Sequence, residues 1–166
     1  MQRLAAKPAR NTAWHVGSVI LFHGETVKIV AGVESSSVTF ADQTVWVSET
    51  GDDVRPKIER HMRSLAAVEL PARTFSFAQQ HGLFVKRVTV RNQKSRWGSC
   101  SRHGTISLKW RLIHAPGFVD DYAIIHELMH LRQMNHSAKF WQEVENVCPD
   151  FREAERWLKA HSGLLR

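Results

Sequence analysis

The 166-residue chain contains two cysteines, one tyrosine and no long apolar run. Cys100 and Cys148 are far apart and form no Cys-x-x-Cys pair, which excludes a disulfide scaffold and an all-cysteine zinc knuckle. Two unpaired thiols are the usage of a reduced, cytoplasmic chain. The longest apolar run near the start, Val19–Phe22, is stopped by His23. A bilayer span needs roughly 20 apolar residues, so no membrane attachment is expected. The run is also a poor signal-peptide core, despite Arg3, Lys7 and Arg10 ahead of it. Internal repeats and low-complexity tracts are missing. The composition, 43% hydrophobic and 23% charged, excludes a disordered chain, a collagen and a coiled coil. A chain of this length reaches about one domain plus a small addition, and it buries enough surface to fold without a disulfide or metal.

Acidic residues are also missing, locally. None lies between Glu69 and Asp120, while that stretch holds Arg73, Lys86, Arg87, Arg91, Lys94, Arg96, Arg102, Lys109 and Arg111. The net charge of +7 is therefore concentrated in one block. Such a block attracts phosphate, nucleic acid or an acidic peptide. A solvated face of a basic protein accounts for it as well. The block lacks the interleaved aromatics of a single-strand platform, with only Trp97 and Trp110 nearby, and no nucleic-acid module signature is present. Nucleic acid is thus a possible partner without a motif behind it.

The hydrophobic period divides the chain at Asp52. Before it, short β-runs pair as hairpins: Val19–Phe22 with Val27–Val30 across His23-Gly24-Glu25, and Val38–Phe40 with Thr44–Val47 across Asp42-Gln43. Residues 1–51 are therefore read as an N-terminal β-rich region and 52–166 as the main domain. After it, Val54, Ile58, Met62, Leu65 and Val68 recur at helical spacing, and Pro71 is expected to break or bend that helix, with a shorter one following to Gln80. Phe84–Asn92 and Thr105–Arg111 alternate as strands with one apolar and one basic or hydroxylated face, joined by the loop Gln93–Gly104. Trp110 falls on the apolar face. Pro116 opens a helix expected to reach Gln133, and Ser137–Val147 forms another. Asp150 and Glu153 have capping-box spacing at the start of a last helix.

The chemistry concentrates in His126-Glu127-Leu128-Met129-His130. Positions i and i+4 share one helix face, so both imidazoles converge on one ion, and Glu127 can reach a water held there. Zinc suits two nitrogen ligands plus a third group, with a fourth position left for water. With ten His in the chain, a shuffled sequence contains this motif in roughly 4% of cases, so context has to support it. It does: the motif lies inside a helical segment, and His136 follows six residues after His130. Asn135 tolerates a left-handed turn and Ser137 can cap the next helix, so the chain can return a third nitrogen. His136 is the expected third ligand and Glu143 its rival. Metzincins use the same histidine spacing with a glycine where this chain has Gln133, and no separate downstream Met-turn is identifiable here.

The motifs together resemble the YgjP-like metallopeptidases, relatives of the SprT-like zinc proteins. The matching residues are Lys94–Ser101 (Lys-Ser-Arg-Trp-Gly-Ser-Cys-Ser), Ile106–Leu108, Trp110–Ile113, Asp121-Tyr122, His126–Leu131, Asn135–Ser137 and Phe140-Trp141, within about residues 84–147. The resemblance implies an α+β, zincin-like fold, with a small sheet packed on the metal-binding helix. It implies zinc at His126, His130 and His136, with Glu127 catalytic. Two departures stand out: the leading β-region is shorter than the family's, and Lys109 stands where asparagine is expected, at the rim of the cleft.

Three functions are consistent with this pattern. The first is a zinc-dependent peptidase with Glu127 as general base, the strand Thr105–Lys109 (with Ser107) serving as an edge that pairs with an extended peptide. Arg96 and His103 are candidate transition-state stabilisers. The second is a nucleoside triphosphate pyrophosphohydrolase at the same metal, since some members of the family are described as acting on UTP. Arg87, Arg91, Lys94, Arg96 and Arg111 would then bind phosphates, although neither a Gly-rich phosphate loop nor a carboxylate cluster for magnesium is present. The third is a zinc-containing binding module, which a fourth protein ligand such as Glu143 or Cys148 would support. Trp97 is divided between packing and lining the cleft. Candidate substrate contacts are therefore Arg91, Arg96, Trp97, Ser107 and Arg111.

Overall fold

A computed structural model describes residues 12–163. Both expected hairpins form, but with tighter turns than expected: Glu25 and Gln43 belong to strands, and Val30 joins the next sheet. Strands β1 (Val19–Phe22) and β2 (Glu25–Lys28) pair antiparallel, with Phe22 opposite Glu25. The two residues between them, His23 and Gly24, both have positive φ, the conformation a two-residue hairpin turn demands. Gly24 is required for a second reason: a Cβ there would lie 2.6 Å from the Pro116 side chain. A second small sheet orders β3 (Val30–Ala31), β4 (Ser37–Phe40) and β5 (Gln43–Trp46) as an antiparallel meander.

Helix α1 runs unbroken from Arg55 to Gln80, straight through Pro71, contrary to the break expected there. Its buried stripe is Ile58, Met62, Ala66, Leu70, Thr74 and Ala78, one residue in every four. A proline inside a helix costs about 3 kcal/mol, and continuing the stripe beyond it offsets that cost. The carbonyl four residues before Pro71 belongs to exposed Ala67, where water can satisfy it. Val68, expected on the apolar face, is 71% exposed because the stripe follows a four-residue spacing and leaves it outside.

The third sheet positions the candidate site. Strand β6 (Arg87–Arg91) pairs parallel with β8 (Thr105–Lys109), and β8 pairs antiparallel with β7 (Gly98–Cys100). The order is β6-β8-β7. Thr105–Lys109 is therefore the central strand and not an edge, because part of the supposed loop Gln93–Gly104 folds back as β7 and covers it. Both faces of β8 are buried: Ile106 and Leu108 completely, Ser107 and Lys109 nearly so. The alternation of apolar and polar residues thus marks two environments and not a wet face. Trp110 does not continue the strand. It opens a 3-10 turn, Trp110–His114, and is buried with the Arg63 and Arg111 guanidiniums over its ring.

Three helices complete the chain: α2 (Gly117–Met129), α3 (Ala138–Val147) and α4 (Phe151–Ala160). The end of α2 falls short of Gln133, although tighter turns carry the chain that far. Ser137 caps α3 as expected, accepting a bond from the Phe140 N–H. Asp150 precedes α4 without capping it through its side chain, because its carboxylate accepts from the Cys148 thiol. The buried apolar residues form one cluster that includes Phe22 and Phe40 from the first strands, Met62 from α1, and Ile124 and Leu128 from α2.

Two sets of contacts hold α2. Arg73 of α1 donates to Asp120, to Asp121 and to the Gly117 carbonyl, clamping the first turn of α2. The β1–β2 turn donates the His23 and Gly24 N–H groups to the Ile113 and His114 carbonyls, just ahead of that helix. His114 answers by donating Nδ1–H to the Leu21 carbonyl at 2.6 Å. Burial holds the His114 imidazole down to about 4, so it stays neutral. As pH falls, the unfolded chain takes up this proton before the folded one does. The stability conferred by neutral His114 is complete above about pH 6.5 and should be lost toward about pH 4, by on the order of 3 kcal/mol. Urea unfolding of wild type and His114→Asn across that range checks this: the asparagine variant should lack that part of the acid destabilisation.

Candidate metal centre

The ring nitrogens of His126, His130 and His136 lie within 4.8 Å of one another. His126 and His130 stand one turn apart at the end of α2, His130 being its C-terminal cap residue. The chain then turns through residues 131–135 and returns His136. Asn135 does not supply a left-handed turn, since among the described residues only His23 and Ala41 have positive φ outside glycine. The helical bonds Arg132 N–H and Gln133 N–H to the Met129 carbonyl make the reversal instead.

Hydrogen bonds select the nitrogen that each helix histidine presents. A carbonyl only accepts, so His130 Nδ1–H donates to Gln133 O at 2.9 Å and leaves Nε2 with its lone pair. The Tyr122 hydroxyl donates to Glu155 at 2.8 Å, which leaves its oxygen to accept from His126 Nδ1 at 3.3 Å. His126 Nε2 then faces His136 Nε2 at 3.2 Å. Two nitrogens bound tetrahedrally to one zinc ion stand roughly 3.3 Å apart. That pair is spaced as two nitrogens on one tetrahedral metal ion are, and the third lies within 4.8 Å of both.

Helix α3 forms an aromatic collar around the three rings. His130 stacks on fully buried Phe140 at 4.4 Å, and His136 stacks on Trp141 at 6.0 Å. Burial, with the neighbouring imidazoles, holds His126 down to about 4, and burial lowers His130 too. Both are neutral near pH 7, the form that ligates metals.

Glu127 is buried beside this cluster, with Oε1 4.0 Å from His126 Nε2. Its Oε2 is buried and has no hydrogen-bond partner among the described residues. Burial pushes its carboxyl up to about 7, against the pull of the Arg96 guanidinium. An unpartnered buried carboxylate oxygen is costly unless something else meets it. Gly98 of β7 makes room for Glu127: a Cβ there would lie 2.8 Å from Ser107 O and 2.9 Å from Glu127 Cγ.

Two cavities meet at His126 and Glu127, with Gly98 in the wall of each. The larger, about 750 Å³, lies toward α4 between Trp97, Tyr122, Arg156 and Leu158. The smaller, about 460 Å³, lies toward Arg96, Cys100, Met134 and His136. Trp97 serves in both of its expected capacities, packing on the core and lining the larger cavity.

The other candidate contacts are scattered. Arg96 lines the smaller cavity. Arg91 ends β6 and is exposed, in neither cavity. Ser107 is buried on the central strand, its hydroxyl bonded across the ladder to Thr89 at 2.7 Å. Arg111 is bound to Glu59 of α1 at 3.0 Å, packed over Trp110, and so is committed to the core side of the molecule. Lys109 is not at the rim: it is buried beneath Trp97, with its ammonium 5.9 Å from that ring's centre. Glu143 pairs with Arg132 and Cys148 bonds Asp150, so neither rival ligand joins the histidines. The sequence reading missed Tyr122 and Glu155 as supports of His126, and the cations Arg152, Arg156 and Lys159 of the larger cavity. The cations carry a signal, since their spacing puts them on one helical face.

A helix presenting two histidines and a glutamate, a third histidine returned to them, and a cleft along a small sheet define a metal-dependent hydrolase. The chain belongs to the YgjP-like family: the family's metallopeptidase domain matches residues 1–161, well beyond the central motifs. Among solved structures, the crystal structure of the metallopeptidase zymogen of Pyrococcus abyssi abylysin is 28% identical, with a TM-score of 0.49, over 55% of this chain and 93% of that one. Comparison with curated proteins found no significant match.

The tight fit at Gly98 makes a prediction. Gly98→Ala should cost about 1–3 kcal/mol of stability, because strand backbone and Glu127 must both move. Gly51→Ala, where an added Cβ meets nothing within 4 Å, should change stability by less than about 0.5 kcal/mol. Parallel urea melts would check the pair.

Proposed function

We propose that the protein is a zinc-dependent peptidase in which His126, His130 and His136 hold the ion and Glu127 is the general base. The observation that carries this reading is the convergence of three imidazole nitrogens beside a buried carboxylate with an unpartnered oxygen. Three imidazoles, with no fourth His, Cys or carboxylate in the group among the described residues, are the donor set of an open, catalytic zinc site. That composition speaks against a closed, purely structural site.

Zinc bound there would lower the pKa of a coordinated water toward about 7 and polarise a substrate carbonyl. Glu127 accepts the water's proton on Oε2 and returns it to the leaving amine. A carboxyl held up to about 7 by burial is suited to both roles near neutral pH. The peptide lies extended along β7, which ends the sheet and whose Gly98 borders both cavities. Gly98, having no side chain, lets the backbone approach Glu127. We divide the chain into an N-terminal β-rich region, 1–51, whose β1–β2 turn braces the start of α2, and a metallopeptidase domain, 52–166, that holds the candidate machinery.

The nucleotide alternative has less support. Arg111 is held by Glu59, and Arg91 lines neither cavity. Among the described residues no helix is long and apolar enough to cross a membrane. The free thiols of Cys100 and Cys148 suit a reduced, cytoplasmic compartment.

Two variants test the assignment. Glu127→Gln should bind zinc as well as wild type while turnover of a quenched peptide library falls at least about 100-fold. Undiminished turnover would remove Glu127 from the mechanism. Tyr122→Phe takes away the oxygen that orients His126, and zinc affinity, measured by competition with a chromophoric chelator, should weaken about 10-fold or more.

A further inference from the structure

We infer that the larger cavity is a subsite for an acidic side chain of the substrate peptide, recognised by Arg152, Arg156 and Lys159. This rests on the peptidase reading above and names the substrate class. The three cations are at i, i+4 and i+7 of α4 and line one cavity wall. None of them forms an ion pair with a described residue, whereas Arg55, Arg73, Arg111 and Arg132 each have a carboxylate partner. The lining also holds two carboxylates, Glu127 beside the histidines and Glu155, which accepts the Tyr122 hydroxyl, so three cations stand against two anions. The cavity therefore has surplus positive charge that its own lining does not neutralise.

The remaining walls suit the stem of such a side chain. Trp97 and Leu158 offer apolar surface, and about 750 Å³ is ample for one residue and its neighbour. The helix that presents the cations is fixed. Phe151 stacks against both Tyr122 and Trp141, Ala154 and Leu158 are buried, and Glu155 is hydrogen-bonded to Tyr122. The smaller cavity on the other side of Glu127 has one exposed arginine, Arg96, in its wall. The field across the cleft is thus asymmetric, and the acidic residue belongs on the α4 side of the cleaved bond.

The test uses peptide pairs that differ by a single Glu or Gln, with the position scanned along the peptide. Binding to the zinc-loaded Glu127→Gln protein is read by fluorescence anisotropy, and cleavage by wild type is read in parallel. At one position the Glu peptide should bind roughly fivefold to tenfold more tightly than its Gln partner, the preference shrinking with added salt. Arg152→Gln/Arg156→Gln/Lys159→Gln should abolish the preference, and Arg156→Glu/Lys159→Glu should transfer it to a Lys-containing peptide. Circular dichroism checks that both variants fold, and the charge-reversed variant gives a gain that unfolding cannot mimic. Equal binding of Glu and Gln peptides at every position would overturn the inference. So would a preference that survives both variants, or charge-dependent binding of a nucleoside triphosphate with none of the peptide pairs. Charge-dependent binding of Glu peptides without cleavage of any would leave the acidic subsite standing and refute the peptidase reading.

Discussion

Two hydrogen bonds decide which nitrogen each helix histidine presents, and the centre depends on them. Gln133 holds His130 by its carbonyl, and Tyr122 holds His126 by its hydroxyl oxygen. Without such partners an imidazole rotates and exchanges tautomers, and three rings do not converge. The Tyr122 bond depends in turn on Glu155, which takes the hydroxyl proton and so makes the oxygen an acceptor. A residue on the last helix thereby sets the tautomer of a histidine on the second. Stacking on Phe140 and Trp141 then restricts how the rings can tilt.

The helix that carries the motif is positioned by distant parts of the chain. Arg73 ties its first turn to α1, and the turn at Gly24 packs against Pro116, the residue just ahead of it. The uninterrupted α1 makes the first tie possible. A real break at Pro71 would place Arg73 on a separate segment, with its own orientation to α2. Asp120, buried and drawn to Arg73, has its carboxyl well above the usual carboxylate range because desolvation outweighs the nearby guanidinium.

Electrostatics differ between the two ends of the cleft. The acid-free stretch of the sequence contributes little to these two cavities: Arg73 and Arg111 are used in structural pairs, Lys109 is buried, and of its cations Arg96 lines the smaller one. The charge that faces the larger cavity comes instead from α4. Net charge by sequence block is therefore a poor guide to where a substrate meets a positive field, because ion pairs within the fold remove part of it.

Local pattern alone was enough for the helix register of His126, Glu127 and His130, the return of His136, the Ser137 cap and both N-terminal hairpins. Each depends on neighbours a few residues apart, where spacing and propensity determine geometry. Local pattern failed where a long-range partner decided the outcome. Pro71 stays helical because α1 has a long apolar stripe to bury. Gly98–Cys100 becomes a strand because β8 offers its second edge, which turns Thr105–Lys109 from an edge into a centre. Arg111 and Ser107 leave the cleft because Glu59 and Thr89, distant in sequence, bind them first. The sequence by itself determined that His126 and His130 share one helix face with Glu127 beside them, since that is a matter of helical period. The tertiary structure alone decided which nitrogen each helix histidine presents and which charges line the cleft, since those depend on contacts between segments far apart in the chain.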